Sequence, residues 1–238
     1  MYQWIGCGVG QMLDLGFHNM DCIEGMRQFP DKYFDLAIVD PVYGGGTQGG
    51  YMKNVESTNR LAKAIQYHTG IWQQEKTGDD YFTELFRVSR NQIIWGGNYF
   101  VSSIKRDSQC WIVWDKKHPE GVQFADCELA WTSFDRATRI FRYRWNGMLQ
   151  ENMKNKEKRI HPTQKPVDLY KWCIKNFAKT GDVILDTHVG SGSSLVACHE
   201  TGHNFVGFEI DPIYYENAHK RLIEAVSQAN IFNMGVAY

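Results

Sequence analysis

The sequence predicts an α/β fold built on a doubly wound, mostly parallel sheet. Strand-like and helix-like segments alternate through the last third of the chain, the arrangement that covers a parallel sheet with helices on both faces. Residues 34–40 form a short apolar run, typical of a strand buried on both faces. A turn containing Gly190 and Gly192 follows another apolar run and opens a helical segment.

Length and composition indicate a single globular domain covering residues 1–238. Apolar residues make up 43% and charged residues 22% of the chain, which excludes a disordered or fibrous protein. The net charge is −1, so a uniformly basic surface is excluded and any contact with nucleic acid must come from a local patch.

The cysteines and the apolar segments indicate a cytoplasmic protein. The six cysteines are spread along the chain without a C-x-x-C pair, as expected for reduced thiols. No apolar stretch approaches the 18 residues or so that a membrane span needs, and the first residues lack the charge of a signal peptide. We therefore expect no contact with a membrane.

The first half of the chain predicts two strands, two helices and a long loop. The patterns indicate a strand at 17–23, a helix at 24–29, a strand at 34–40 and a helix at 79–89 capped by Asp79. Between the last two, residues 44–78 are rich in glycine and irregular, with a helical turn expected near 59–68. A loop of this length is usually a lid or a binding segment.

The second half predicts more strands, then a regular alternation. We expect strands at 92–95, 110–114, 128–132 and 139–143. Helices at 166–178, 192–200 and 212–229 then alternate with strands at 182–186 and 204–210.

The glycine turn and the next strand favour a cofactor that contains a nucleoside. Glu209 ends the strand that follows Gly190, and a carboxylate there can accept hydrogen bonds from ribose hydroxyls. Leu195 stands where a dinucleotide fingerprint has its third glycine, which favours a cofactor without a pyrophosphate. Tight packing and a nicotinamide dinucleotide remain the alternatives.

Several motifs occur in one consistent order. They are MDCIEGM at 20–26, DPVY at 40–43, IWGGNYF at 94–100, FADCELAW at 124–131, HPTQKP at 161–166, GDVILD at 181–186 with the glycine turn, and GFEIDPIYY at 207–215. This series resembles the β-type, circularly permuted family of site-specific DNA amino-methyltransferases, which methylate adenine N6 or cytosine N4. The family has a second proline where this chain has Val42, and Pro-Phe where it has Thr187 and His188.

The resemblance implies a class I S-adenosylmethionine-dependent methyltransferase that flips its target base out of DNA. The catalytic residues it implies are Asp40, Pro41 and Tyr43. The Asp40 carboxylate and the Pro41 carbonyl would accept the two amino hydrogens, and Tyr43 would stack on the base. Aspartate in the first motif position favours adenine over cytosine.

The resemblance also implies the residues that hold the cofactor. Asp21 and Cys22 would lie near its adenine, Glu209 at its ribose, and His161, Thr163 and Lys165 at its methionine end. The complete implied set is Asp21, Cys22, Asp40, His161, Thr163, Lys165, Asp186, Gly190, Ser191, Gly192 and Glu209.

A basic segment at residues 135–160 is the expected DNA surface, together with the 44–78 loop. It holds eight basic and three acidic residues, so it carries +5 in a chain of net charge −1. Strand alternation would place Arg142 and Arg144 on one face. A solvated charged face is the alternative. The residues assigned to DNA are Arg136, Arg139, Arg142, Arg144, Lys154 and Lys156.

One further motif, His199-Glu-Thr-Gly-His203, fits the H-E-x-x-H zinc pattern, but Gly202 should end the helix before His203, so we predict no metal. Adenine methylation in DNA is the function that the sequence favours. The alternatives are cytosine-N4 methylation, adenine methylation in RNA, a DNA-binding protein without activity, and an oxidoreductase. A homodimer and a cognate restriction endonuclease are the further partners that the resemblance raises.

Overall fold

The computed structural model describes residues 12–43, 76–120, 125–146 and 149–234. These residues form an eight-stranded sheet and a separate two-stranded hairpin. The strands of the sheet are β1 (Gly16–Asn19), β2 (Phe34–Val39), β3 (Ser89–Trp95), β4 (Trp111–Asp115), β5 (Cys127–Thr132), β6 (Arg139–Arg142), β9 (Val183–Asp186) and β10 (Asn204–Glu209). The hairpin pairs β7 (Trp145–Asn146) with β8 (Leu149–Gln150).

Six α-helices and one short 3₁₀ turn connect these strands in the described part of the chain. The helices are α1 (Cys22–Met26), α2 (Asp79–Val88), α3 (Val101–Ile104), α4 (Val167–Phe177), α5 (Ser193–Thr201) and α6 (Pro212–Met234), and the 3₁₀ turn is Gly97–Tyr99. None of the described helices has both the length and the apolar character needed to cross a bilayer.

The sheet is mostly parallel, which confirms the predicted fold class. Its strand order is β1-β10-β9-β2-β3-β5-β4-β6. Within this sheet, β5 runs antiparallel to both of its neighbours, and every other recorded pairing is parallel. The carboxyl ends of the parallel strands therefore lie along one edge.

Each face of the sheet carries its own apolar core. In β2, Leu36 and Ile38 belong to the cluster that includes α4 and α5, whereas Ala37 and Val39 belong to the cluster that includes α1 and α2. A strand covered on both faces needs apolar residues on both faces, which explains why residues 36–39 are all apolar rather than alternating, while Asp35 near the start of the strand is only partly buried.

The topology creates a crevice between β9 and β2. From β9 the chain passes through α5 to β10 on one side, and from β2 it continues through α2 to β3 on the other. Open α/β sheets bind their ligands where neighbouring strands connect in opposite directions, outside the carboxyl ends. The residues that follow β2, β9 and β10 therefore surround the expected ligand site.

Several predicted boundaries are wrong for local reasons. Helix α1 begins at Cys22 because the Asp21 side chain accepts hydrogen bonds from the amides of Ile23 and Glu24, so the first strand ends at Asn19 rather than at residue 23. Helix α2 has Gly78 as its N-cap and Asp79 as its first residue. Strand β6 ends at Arg142, so Arg144 lies beyond it.

Residue 124 of the FADCELAW motif and residues 147–148 of the 135–160 segment lie outside the described residues, as do two longer regions. They are the first eleven residues and residues 44–75, which include most of the predicted 44–78 loop and the helical turn at 59–68.

Candidate active site

A cavity of about 220 Å³ opens at the carboxyl ends of β2, β9 and β10, at the switch point of the sheet. Most of its lining residues follow those three strands or lie in the HPTQKP segment. The lining residues are Met20, Asp21, Cys22, Asp40, Val42, His161, Thr163, Gln164, Lys165, Tyr170, Thr187, His188, Val189, Gly190, Ser191, Phe208, Glu209 and Ile210.

Asp40 stands at the cavity wall directly after β2, with both carboxylate oxygens engaged. The Tyr43 hydroxyl donates to Oδ1 at 2.5 Å. The Lys165 ammonium donates to Oδ2. Pro41, between these groups in sequence, is buried. A carboxylate held from both sides has a fixed orientation towards the cleft.

The Tyr43 ring lies in an aromatic corner beside β3. It stacks on Tyr99 with 4.9 Å between ring centroids and meets Phe100 edge-on at 5.9 Å. Gly96 makes this position accessible, because it has φ +65° and a Cβ there would lie 2.1 Å from Cε1 of Tyr43. The IWGGNYF segment thus holds the ring that follows the Asp-Pro-Val turn.

A row of alternating charges continues from Asp40 into the protein. The Lys165 ammonium also lies 3.3 Å from Oε2 of Glu128, and Oε1 of Glu128 lies 2.5 Å from the Lys116 ammonium. Burial alone would lower the pKa of Lys165, but Asp40 and Glu128 together raise it. Burial alone would raise the pKa of Glu128, but the two lysines lower it. Lys165 and Glu128 are therefore both charged at neutral pH.

Glu209 holds two turns, at Gly190 and at Asp211, in the part of the cavity where the cofactor is expected, called the cofactor half below. Its Oε2 accepts from the Gly190 amide at 2.8 Å and its Oε1 from the Asp211 amide at 2.9 Å. Burial raises the pKa of this carboxyl. Each oxygen keeps a lone pair for another donor, so Glu209 can fix the glycine turn and still accept a hydrogen bond from a ligand.

Asp186 and Gly192 are the two predicted cofactor residues that do not line the cavity. Asp186 is buried below it and accepts from the Ser194 hydroxyl and, at 3.0 Å, from the His188 amide. Burial raises the pKa of Asp186 to about 7. Gly192 has φ +78°, and a Cβ there would lie 3.2 Å from Ala218 in α6. Asp186 and Gly192 therefore stabilise the glycine turn on the side away from the cavity.

The HPTQKP segment forms the opposite wall of the cavity. The His161 ring is buried and its Nδ1 lies 3.1 Å from the Thr163 hydroxyl and 3.3 Å from the Thr163 amide. Burial, helped by the nearby Lys165, lowers the pKa of His161 to about 3, so its imidazole is neutral at physiological pH. The Lys165 ammonium binds Asp40. The resemblance instead implies that Lys165 lies at the methionine end of the cofactor.

Asp21 and Cys22 line the end of the cavity nearest β10. Asp21 is occupied as the N-cap of α1, and burial raises the pKa of the Cys22 thiol to about 12, so the thiol stays protonated. Met20, Phe208 and Ile210 line the cavity with them. Apolar side chains beside a few polar groups suit a nucleobase.

Sequence reasoning missed several residues of the site. Thr187 and His188 line the cavity. The Thr187 hydroxyl makes two hydrogen bonds, one with Nδ1 of His188 at 2.9 Å and one with the hydroxyl of the buried Tyr81 at 2.6 Å. Burial lowers the pKa of His188 to about 4. The signal was present, since these two positions depart from the family pattern. Glu128 lay inside a recognised motif, but nothing in the sequence indicated that it faces Lys165.

The basic residues predicted to contact DNA have different surroundings. Arg139, Arg142, Arg144, Lys154 and Lys156 are exposed, and Arg142 lies 3.5 Å from Asp115. Arg136 instead stacks its guanidinium on Phe177 at 3.6 Å and donates to the Asn176 carbonyl at 2.8 Å. Arg136 is therefore partly buried and held against the end of α4, whereas the other five side chains are exposed to solvent.

The H-E-x-x-H motif is split by the end of a helix. Helix α5 ends at Thr201 and Gly202 takes φ +71°, so His203 lies beyond the helix that carries His199. His203 binds the Thr201 hydroxyl and the Lys179 carbonyl. Within the described ranges, no three His, Cys, Asp or Glu side chains are grouped so as to hold a metal ion.

The sheet is mostly parallel, has helices on both faces and carries a carboxylate-lined cleft at its switch point. It matches the class I methyltransferase fold of solved DNA methyltransferases. A family model described as DNA methylase matches residues 94–220. The chain belongs to this family, the N6/N4 DNA methylases.

Two curated relatives span most of the chain. The type II methyltransferase M.HpaI of Haemophilus parainfluenzae is 40% identical over 239 residues, covering 85% of this chain and 72% of the relative. The type II methyltransferase M.HinfI of Haemophilus influenzae is 25% identical over 246 residues, covering 88% of this chain and 68% of the relative.

Solved structures share the fold at low sequence identity. A DNA modification methylase of Thermus thermophilus, TTHA0409, in complex with S-adenosyl-L-methionine, superposes with a TM-score of 0.55 at 18% identity, covering 88% of this chain and 95% of that one. The cytosine-N4-specific PvuII DNA methyltransferase superposes with a TM-score of 0.56 at 10% identity, covering 92% and 93%.

Proposed function

We propose that this protein transfers a methyl group from S-adenosylmethionine to N6 of adenine at specific DNA sites, after flipping the base out of the duplex. The observation that carries the proposal is the Asp40 carboxylate, which lines the same cleft as Glu209 and the glycine turn. A carboxylate is the first residue of the catalytic motif in this chain, and this favours adenine.

The cleft fits S-adenosylmethionine, whose sulfonium supplies an electrophilic methyl group. Glu209 can accept from ribose hydroxyls, and Met20, Phe208 and Ile210 offer an apolar environment for the adenine ring. The turn at Gly190 leaves the backbone open to close approach. Family membership and a related fold solved with this cofactor support the assignment.

The chemistry required of the chain is to make an exocyclic amine nucleophilic. The lone pair of this nitrogen is delocalised into the purine ring, so the nitrogen must pyramidalise before it attacks. The Asp40 carboxylate and the Pro41 carbonyl would accept its two hydrogens and stabilise the positive charge that develops on it. The Tyr43 ring would stack on the flipped base and offset part of the cost of unstacking.

Cytosine-N4 methylation is the second candidate, because the fold also matches the cytosine-N4-specific PvuII enzyme. The deciding experiment is methylation-sensitive sequencing of DNA, with nucleoside mass spectrometry, from cells that express the wild-type chain or Asp40→Ala. We expect N6-methyladenine at one sequence motif with the wild type and its loss with Asp40→Ala. Asp107→Ala, which removes an exposed carboxylate, is the matched control.

The results separate the candidates. N4-methylcytosine instead of N6-methyladenine would move the proposal to cytosine. DNA without either modification, but bound by the purified protein, would favour the inactive DNA-binding alternative. Methylation of RNA alone would favour the RNA alternative.

The DNA surface that we propose consists of the exposed basic residues of the 135–160 segment. Replacing Arg142 and Arg144 together by Ala should weaken DNA binding at least tenfold at low salt and reduce its salt dependence. Affinity for S-adenosylhomocysteine, measured by calorimetry, should stay within twofold. Unchanged DNA affinity would remove this segment from the interface.

Further parts of the proposal rest on the resemblance. They are one methyltransferase domain over residues 1–238 with the 44–78 and 135–160 segments contacting DNA, a homodimer, and a cytoplasmic location. A cognate restriction endonuclease is proposed because both curated relatives are type II methyltransferases.

A further inference from the structure

The proposed role of Asp40 meets an obstacle within the structure itself. Its Oδ1 already accepts from Tyr43 and its Oδ2 from Lys165. The Lys165 ammonium also compensates the negative charge of Asp40, which is needed to stabilise the positive charge that develops on the amino group of the base. Each oxygen keeps a second acceptor site, but an amine that binds there shares a carboxylate whose charge Lys165 already compensates, so its approach weakens the hold of Asp40 on the ammonium.

Lys165 has a second carboxylate partner, Glu128. Its side chain is 5% exposed, too little for water to solvate the ammonium, so it must keep a carboxylate partner. Oε2 of Glu128 is buried and lies 3.3 Å from the ammonium, so it already forms a longer ion pair with Lys165 beside the shorter contact to Asp40. Within the described residues this oxygen has no donor other than that ammonium, so a shorter contact with it is favourable.

Glu128 itself is held in place from the far side. Its other oxygen lies 2.5 Å from Lys116, whose ammonium also lies over the Trp114 ring at 5.1 Å. Strand β5 carries Glu128 opposite Trp114 of β4, so the carboxylate is mounted on the sheet rather than on a loop. It can receive Lys165 without moving.

We propose that Glu128 is a positioning residue for methyl transfer: it accepts the Lys165 ammonium when the amino group of the target base takes the place of that ammonium on Asp40. The inference rests on the proposed function. Lys165 then acts as a mobile counterion, on Asp40 when the base pocket is empty and on Glu128 when the base is bound. No net charge enters or leaves the site, because the ammonium remains paired in both arrangements.

The test is Glu128→Gln, which keeps the shape of the side chain and removes its charge. With a neutral acceptor, Lys165 should remain on Asp40, and the single-turnover rate of DNA methylation should fall at least tenfold. Affinities for S-adenosylhomocysteine and for DNA should stay within twofold. The matched control is Glu200→Gln, which removes a carboxylate paired with Lys171 outside the cavity and should leave the rate unchanged.

Two further variants separate positioning from folding. Glu128→Asp keeps the charge and should recover the rate to within about fivefold of the wild type. In a Lys165→Met background, Glu128→Gln should change the remaining rate by less than twofold, because Glu128 acts through Lys165.

The possible outcomes are distinct. Equal losses in Glu128→Asp and Glu128→Gln, or additive losses with Lys165→Met, would overturn the inference in favour of a purely structural role. A Glu128→Gln protein with the wild-type rate would also overturn it, while leaving the proposed function intact. A wild-type protein that transfers no methyl group to any DNA base would contradict the proposed function itself.

Discussion

The two halves of the cleft are held by different kinds of contact. On the cofactor side, the carboxylates of Asp21, Asp186 and Glu209 accept hydrogen bonds mainly from backbone amides within a few residues of the ends of β1, β9 and β10. On the base side, Asp40 is held by two side chains, those of Tyr43 and Lys165. The first half is fixed by the chain itself, whereas the second is fixed by groups that can rotate away.

This difference matches what each half has to do. A cofactor with a constant structure is best met by a rigid set of acceptors, because no reorganisation is then needed on binding. A flipped base enters a pocket that is empty between reactions, so its polar groups must pair with each other when the base is absent and release each other when it binds. We therefore infer that the cofactor half is preorganised and that the base half is exchangeable.

The largest effect should follow from breaking the cofactor half at Glu209. Glu209→Gln leaves one of two buried backbone amides, those of Gly190 and Asp211, facing an NH₂ group instead of an acceptor. An unsatisfied buried donor costs about 1–3 kcal/mol. We expect a loss of stability of that size in thermal or urea unfolding, and at least a tenfold loss of affinity for S-adenosylhomocysteine.

The exposed Glu216→Gln on α6 is the control for this experiment and should change neither quantity. A Glu209→Gln protein as stable as the wild type would show that the cofactor half is not fixed by its backbone contacts, and the contrast between the halves would fail.

Smaller effects on stability should follow from changes in the base half. Tyr43→Phe removes the hydroxyl that donates to Asp40 but keeps the ring on Tyr99. A hydrogen bond to a charged group contributes about 1.5–3 kcal/mol, but Asp40 keeps Lys165 as a partner in the variant, so the unfolding free energy should fall by about 1.5 kcal/mol or less. Tyr43→Ala also removes the stacking platform, worth about 1–3 kcal/mol per base.

The measurement for the Tyr43 pair is 2-aminopurine fluorescence at the target position, once sequencing has identified the methylated motif. Tyr43→Phe should give the flipping signal of the wild type, and Tyr43→Ala should reduce it. Equal signals from all three proteins would mean that the ring does not receive the base.

The sequence predicted the elements of the fold well where the chemistry was local. Three local signals each specify an element: the apolar residues 36–39 of β2, the glycines of the turn after β9 and the proline before α4. The start of α1 was missed because the Asp21 cap outweighs the strand-like residues that follow it. Even there, the deciding interaction is short-range and could have been weighed.

The site was less accessible to sequence reasoning, for a geometric reason. The motifs indicated which segments meet, and most of the expected cofactor residues do line the cavity. The pairing of Lys165 with Asp40 spans 125 residues, and Glu128 reaches Lys165 from a strand in the antiparallel part of the sheet. No local pattern encodes which way such side chains turn, so the charge row was visible only in three dimensions.

The smallest effect concerns pH and tests how rigidly the cofactor half is buried. Burial, with Lys165 nearby, lowers the pKa of His161 to about 3, below its ordinary value of about 6.5. As pH falls through 6.5 the unfolded chain takes up a proton that the folded chain refuses, so the stability present above pH 6.5 is lost progressively down to about pH 3. His161→Gln should therefore lose stability less steeply than the wild type in acid, by up to about 1.4 kcal/mol per pH unit below 6.5. Urea unfolding at pH 7.5, 6.5 and 5.5 measures this slope, with the exposed His219→Gln as control. Parallel slopes for wild type and His161→Gln would mean that His161 can be protonated in the folded protein, and that this wall of the cleft opens as readily as the base side.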